Sequence, residues 1–392
     1  MLLTLISCSG KGAIGNEFPE TDAVIGGVTT DAPAASEPVV TEPPITYPPL
    51  PELPEADVVT LVAVGDNLIH GYLITAGKTF GYDHFYDRIK DVISDADIAV
   101  INQESSFTYN SKIYSGYPYF ATPTDVGIAA MNAGFDVFTF ATNHVWDNGK
   151  QPVLDTIDFF KNYPEATMLG INETKDDYNT VKIIEKNGIK IAMFNYTYGF
   201  NSGKYPSQMV SWMCEKLANS NKERMKEQLI YAEENADITI VFPHWGTEYA
   251  YTPNSSQMSW AEFFTENGAD IIIGHHPHAV QPTMEITADN GNKSICYFSL
   301  GNFISNQTYI KGNTGAMASL TIVKDENGTR VEEYETLATT VHATMVNGVR
   351  KYEAMMLSDL TDEMLKENFK LSHHTVNDFR ELFDNALNSF PE

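Results

Sequence analysis

The chain has 392 residues, 43% of them hydrophobic, and carries 52 acidic against 25 basic side chains for a formal net charge of -27. That length and apolar fraction suffice for a large core. The acidic excess argues against nucleic acid as a partner, which needs clustered Lys and Arg, and against electrostatic docking on anionic headgroups.

The three cysteines, at positions 8, 214 and 296, show no CxxC spacing, which excludes a disulfide framework and a thiolate zinc site. Cys214 and Cys296 either pair or remain free buried thiols. Cys8 follows Leu5-Ile6-Ser7 at the end of an apolar run, the way a bacterial lipoprotein signal ends at the cysteine that becomes lipidated. Residues 1–8 are therefore expected to be a signal remnant and Cys8 the lipidation site. The run has no basic n-region and is short for a signal, so the true start of the signal is expected upstream. Residues 9–56 form the next expected unit. Thr29–Glu55 is dense in Pro, Thr, Ala and acidic residues, a composition that gives an extended spacer rather than a core. Anchor and spacer together predict an extracytoplasmic protein held to the bacterial cell membrane by lipid. Past the start, no stretch approaches the roughly 20 apolar residues of a span.

From Val58 the pattern becomes apolar runs of strand length alternating with amphipathic stretches. Val58–Val64, Ile98–Ile101, Val137–Ala141, Ile238–Phe242, Ile271–Ile273 and Ile295–Ser299 read as strands. Ile183–Glu185 and Ile189–Asn195 read as a hairpin turning at Asn187-Gly188. Helices are expected at His84–Ile93, Thr124–Asn132, Pro152–Asn162, Lys222–Asn235 and Gln257–Asn267. A small or turn residue followed by Asp and a β-branched run recurs at Asp97-Ile98, Asp136-Val137, Asp237-Ile238 and Asp270-Ile271. It marks repeated αβ units, so the fold class is α/β. Met317–Val323 and Arg330–Thr340 look like further strands, and the chain past Leu360 looks like polar helix.

Chemistry gathers where strands end, which is where ligands bind in open α/β folds. Val58–Val64 runs into Gly65-Asp66-Asn67, and Ile98–Ile101 into Asn102-Gln103-Glu104. Val137–Ala141 runs into Thr142-Asn143-His144 with Asp147 behind, Ile238–Phe242 into Pro243-His244-Trp245, and Ile271–Ile273 into Gly274-His275-His276-Pro277-His278. Singly, each reads as a turn, a helix cap or a packed imidazole. Together they form a set of carboxylate, imidazole and amide ligands, and five of the ten histidines fall within it. Such a set without thiolate suits hard or borderline divalent ions. Two such ions can share a bridging carboxylate, and a non-ligating histidine can protonate a leaving oxygen.

The motif order resembles the CapA-type proteins of poly-γ-glutamate capsule synthesis (PGA_cap), a branch of the calcineurin-like metallophosphoesterases. The matching stretches are Gly65-Asp66-Asn67-Leu68, Asn102-Gln103-Glu104, Thr142-Asn143-His144 to Asp147-Asn148-Gly149, His244–Tyr249, Gly274–His278 with Gln281, and Ser299–Phe303. The resemblance implies a two-layer β-sandwich flanked by helices, metallophosphoesterase-like, over residues 57–305, with 306–392 completing it or appended to it. It implies Asp66, Glu104, Asn143, His244, His276 and His278 as ligands of one or two ions (Mn, Fe or Zn), with Glu104 bridging. His144 becomes the general acid, with Asp147 beside it; Asn67, Asn102, Glu248, His275 and Asn302 are candidates for substrate contact. Two positions depart from the ordinary pattern. Leu68 stands where a ligand histidine is usual and Glu104 where Asp is usual, and His275 competes with His276 for register. His70 lies within reach of the first loop.

Two functions remain in view. One is a metal-dependent hydrolase or transferase acting on an anionic envelope polymer or phosphoester, alongside other capsule synthesis proteins. The other is a non-catalytic capsule lipoprotein that binds or guides the polymer. A solute-binding lipoprotein is a weaker third reading, since it has no need of the ligand set.

Overall fold

A computed structural model describes residues 56–201, 214 and 216–391. Cys8 and nearly all of the expected spacer lie outside the described residues. In chain order the strands are β1 (Asp57–Asn67), β2 (Ile98–Gln103), β3 (Phe107–Thr108), β4 (Thr122–Pro123), β5 (Val137–Thr139), β6 (Thr167–Leu169), β7 (Lys182–Lys186), β8 (Ile189–Thr197), β9 (Ile238–His244), β10 (Ile271–Ile273), β11 (Thr283–Thr287), β12 (Lys293–Tyr297), β13 (Asn302–Ile304), β14 (Thr314–Asp325), β15 (Gly328–Val346) and β16 (Val349–Met356).

Two sheets hold most of them. The first runs β16-β15-β14-β1-β2-β5-β6, with β13 beside the end of β1; the second runs β11-β12-β10-β9-β8-β7. Strands β1, β2, β5 and β6 are parallel, as are β8, β9, β10 and β12, with antiparallel strands on the flanks. Parallel strands buried on both faces read as unbroken apolar runs, which is why Val59–Val64 shows no alternation. Val59, Leu61 and Ala63 face Ile240, Phe242 and Ile273 between the sheets. Val62, Val64 and Ile101 face outward under the helices Gly71–Phe80, Thr124–Asn132 and Lys150–Asn162. On the other side Val241, Ile272 and Phe298 lie under the helices Lys222–Asn235 and Ser255–Glu266. The result is a two-layer β-sandwich flanked by helices, the α/β architecture the motif order implied. Strand β14 is hydrogen-bonded along β1, so the C-terminal strands extend the same sheet.

The recurring Asp has a mechanical role at the opposite end from the motifs. Asp97 accepts from Thr60 N (2.9 Å), Asp136 from Ala99 N (2.9 Å), Asp237 from Lys190 N (2.8 Å) and Asp270 from Thr239 N (2.7 Å). Each ties the start of its own strand to a neighbour and so fixes register.

The helix expected at His84–Ile93 is the main correction. A 3-10 turn at Asp83–Phe85 and a short helix at Lys90–Ser94 stand there instead. His84, Phe85 and Tyr86 are all buried in succession, which one face of a regular helix does not allow. The helix Gly71–Phe80, the strand β11 and the strand β16 were not foreseen. Cys214 and Cys296 are both buried and free. Among the described residues no helix is long and apolar enough to cross a membrane.

Candidate metal centre

Five parallel strands deliver the polar residues to one edge. Asp66 closes β1 and is fully buried. Its backbone N–H donates to Gly301 O at 2.8 Å. That approach requires glycine at 65, because a Cβ there would lie 2.1 Å from the same oxygen. Asn102 donates through Nδ2 to Asp66 Oδ1 at 2.8 Å and accepts from Thr139 Oγ1 at 2.8 Å. Both ends of the Asn102 amide are therefore engaged. Asn67 is engaged likewise, donating to Gln103 Oε1 (2.7 Å) and accepting from Tyr86 OH (3.2 Å).

Glu104 follows β2 and lies at the centre of the cluster. Both of its carboxylate oxygens are buried without a hydrogen-bond partner. His244 Nε2 stands 3.7 Å from Glu104 Oε1, and His278 Nε2 stands 3.6 Å from it. Three overlapping groups have ligand atoms within 4.8 Å of one another: Glu104 with His244 and His276, Asp66 with Glu104 and His278, and Glu248 with His276 and His278. Asn143 accepts from His244 Nε2 at 2.8 Å. The structure thus brings Asp66, Glu104, Asn143, His244, His276 and His278 together, with Glu248 at the exposed margin.

His275 points elsewhere. Its Nε2 donates to Val64 O at 3.3 Å, and it belongs to none of the three groups. His278 donates through Nδ1 to Asp66 Oδ2 (2.9 Å) and Asn302 Oδ1 (3.0 Å). Asn302 in turn donates to Gly312 O at 3.0 Å. Leu68 is packed into the core, with its N–H donating to Ile304 O. The loop around the histidines is strained: His276, His278 and Tyr249 hold φ of 97°, 52° and 62°. Non-glycine residues at such angles cost about 1–3 kcal/mol each and collect at functional sites.

The electrostatics show a cluster short of positive charge. Burial, the like charge of Asp66 and the charge of Glu248 raise the Glu104 carboxyl well above its usual range, against a lowering by His278. Burial alone would raise Asp66, but the hydrogen bond and charge of His278 bring it below its usual value. His278 is pushed up to about 10: burial opposes its charge, and Glu104 and Asp66 outweigh burial. His276 is pushed down to about 3 by burial and by His278. A divalent cation fits this donor set. It would meet the two unpartnered oxygens of Glu104, and its charge would offset two buried carboxylates.

Beside the cluster, His144 Nδ1 donates to Asp147 Oδ2 at 2.6 Å. The same oxygen accepts from Phe120 N at 2.9 Å, and the Phe120 ring lies edge-on to the imidazole. Two residues went unnoticed in the sequence. Tyr198 lies over His276, ring centroids 4.5 Å apart. Asn201 places Nδ2 3.4 Å from His144 Nε2 and donates from its backbone to Asn143 O. Both follow the end of β8, a sixth strand end that carries no ligand motif of its own. His70 sits under the site, with Nδ1 accepting from Asn306 N at 3.2 Å.

A carboxylate–imidazole cluster at the strand ends of a helix-flanked β-sandwich defines the class as a candidate divalent-metal protein. The chain belongs to the family of bacterial capsule synthesis proteins, PGA_cap, whose model matches residues 60–307. It is 26% identical over 287 residues to the capsule biosynthesis protein CapA of Bacillus anthracis, covering 71% of this chain and 66% of that protein. It is 26% identical over 315 residues to the PGA biosynthesis protein CapA of Bacillus subtilis, covering 80% and 79%. The chain thus spans just under two thirds of the length of the first relative. Similar solved structures include a phosphatase from Mycoplasma pneumoniae, with TM-score 0.43 and 15% identity over 72% of this chain and 94% of that one. The calcineurin-like phosphoesterase YfkN of Bacillus subtilis has TM-score 0.38 and 13% identity over 85% and 99%. Likenesses this remote do not say what the chain does.

Proposed function

We propose that this protein is a metal-dependent hydrolase or transferase of capsule synthesis, acting on an anionic envelope polymer or a phosphoester. The observation that carries the reading is Glu104, a fully buried carboxylate with both oxygens unpartnered between His244 and His278. Burying an unpaired carboxylate is so unfavourable that a cation is its natural partner.

Asp66, Glu104, Asn143, His244, His276 and His278 hold one or two divalent ions (Mn, Fe or Zn). Bound there, an ion supplies Lewis acidity toward a phosphoryl or carbonyl oxygen. Asn102 and Asn302 orient Asp66 and His278, and Asn67 steadies the end of β1. Glu248 and Tyr198 border the substrate, while His275 ties the histidine loop to β1. Asp147 holds the ring of His144 through Nδ1, and Nε2, when it also carries a proton, delivers it to the leaving oxygen. Cys8 carries a lipid that holds the protein outside the cytoplasm on the cell membrane, with residues 9–56 as tether; mass spectrometry of the membrane fraction tests this, and an unmodified Cys8 refutes it.

A second reading, polymer binding without catalysis, draws on Leu68, a core residue where a ligand histidine is usual. Assays of the full chain with Mn, Fe or Zn on model phosphoesters and on γ-linked glutamyl polymer separate the two. Turnover that disappears in Glu104→Gln supports the hydrolase or transferase. Binding of the polymer with no turnover under any metal supports the second reading.

A further inference from the structure

Arg350 and Lys370 are two cations near one aromatic ring, Phe369, in a chain of net charge -27, and among the described residues neither is in an ion pair. Their neighbours show that partners were at hand: Lys351, next along β16, pairs with Glu353 at 3.0 Å, and so does Arg88 at 3.3 Å. Aromatic faces hold the unpaired two instead. The Arg350 guanidinium lies 3.7 Å from the Tyr72 ring and 5.0 Å from that of Phe369. The Lys370 ammonium lies 4.8 Å from the Tyr352 ring and 5.7 Å from that of Phe369. The nitrogen of Lys370 is buried and has no hydrogen-bond partner. Burial and the like charge of Arg350 bring that amine down to about 7, a disfavoured state that a bound anion would reverse.

Contacts also run from the pair toward the metal cluster. Tyr352 OH donates to Asn306 Oδ1 at 2.6 Å, and Asn306 N donates to His70 Nδ1 at 3.2 Å. The His70 ring stands edge-on to Phe120 at 5.2 Å, and Phe120 stands edge-on to His144 at 4.7 Å. A chain of contacts through Tyr352, Asn306, His70 and Phe120 therefore links the two cations to His144.

We propose that Arg350 and Lys370 form an anion subsite that takes a carboxylate or phosphate group of the substrate away from the reacting bond. This rests on the reading of an anionic substrate given above. A planar guanidinium and an ammonium near the same aromatic ring, both lacking counter-ions, suit an oxyanion that offers two oxygens. The subsite also explains how so acidic a protein would hold an acidic polymer: attraction is local, and the surrounding charge repels misplaced strands.

Titration of the full chain after chelation, with tri-γ-glutamate in one arm and inorganic phosphate in the other, tests the subsite without the metal. Wild type should bind one of them, and Arg350→Gln and Lys370→Met should each weaken that binding at least about tenfold. Tighter tri-γ-glutamate identifies the polymer carboxylate as the source, and tighter phosphate the phosphoester. Arg350 is partly exposed, so Arg350→Gln decides alone if thermal melting shows that Lys370→Met is unfolded. No binding by wild type, or binding that both variants retain, overturns the subsite and leaves the pair as aromatic packing. Failure of the hydrolase reading would appear separately, as absent turnover in the metal-loaded protein.

Discussion

His278 and Asp66 lie 212 residues apart in the chain and meet with Nδ1 2.9 Å from Oδ2. That contact joins the end of β1 in one sheet to the loop after β10 in the other, so the site closes the sandwich at its functional edge.

The first expectation concerns Gly65. Replacement by Ala puts a methyl 2.1 Å from Gly301 O, and backbone oxygen cannot swing aside. Gly65→Ala should destabilise the fold by about 3 kcal/mol and displace Asp66. Chemical denaturation measures it; a loss below about 1 kcal/mol would show that the two loops yield.

His276 offers a contrast between stability and function. Its φ of 97° strains any side chain, so His276→Gly should be more stable than His276→Ala by about 1 kcal/mol. Both variants should lose metal. Equal melting temperatures for the two would mean the loop relaxes when the imidazole leaves.

Asp147 acts through His144. Asp147→Asn keeps a partner for Phe120 N but no longer holds the imidazole as a carboxylate does. Turnover should fall by about 10²–10⁴, with metal content and KM unchanged and the pH–rate profile shifted. A variant with normal turnover removes His144 from the proton-delivery role.

Asp270 should give the stability a pH dependence. Burial, reinforced by Glu233 and opposed by the Thr239 N–H, pushes its carboxyl from 3.8 to about 7 in the folded state. The folded protein therefore binds more protons than the unfolded chain between those values, and stability falls as pH rises through that window. Asp270→Asn should melt with a smaller drop between pH 5 and pH 8 than wild type. Parallel melting curves for the two across that range would contradict it.

Much of the site was legible because strand ends are conspicuous. Ile271–Ile273 begins and ends as its sequence suggests, and the ligand residues follow such runs directly. The resemblance names His276 and His278 as ligands, while the residues alone leave His275 competing with His276. The choice depends on positive φ at His276 and His278, which only the packed loop enforces. Tyr198 and Asn201 escaped notice because an aromatic or an amide after a strand has no ligand signature; their meaning lies in contacts with His276 and His144. The helix Gly71–Phe80 was hidden by its two glycines, and Gly77 is there to admit the Tyr82 ring, against which a Cβ would sit at 2.0 Å. Arg350 and Lys370 could not be paired from sequence, since nineteen residues, a helix among them, lie between the two.

The most direct test of the account is elemental analysis of the full chain purified without chelator, beside the double variant His276→Ala/His278→Ala. The account predicts about one or two Mn, Fe or Zn ions per wild-type chain and none in a double variant that still melts cooperatively. A wild-type chain that stays metal-free after incubation with each ion, or a double variant that keeps its metal, would contradict it.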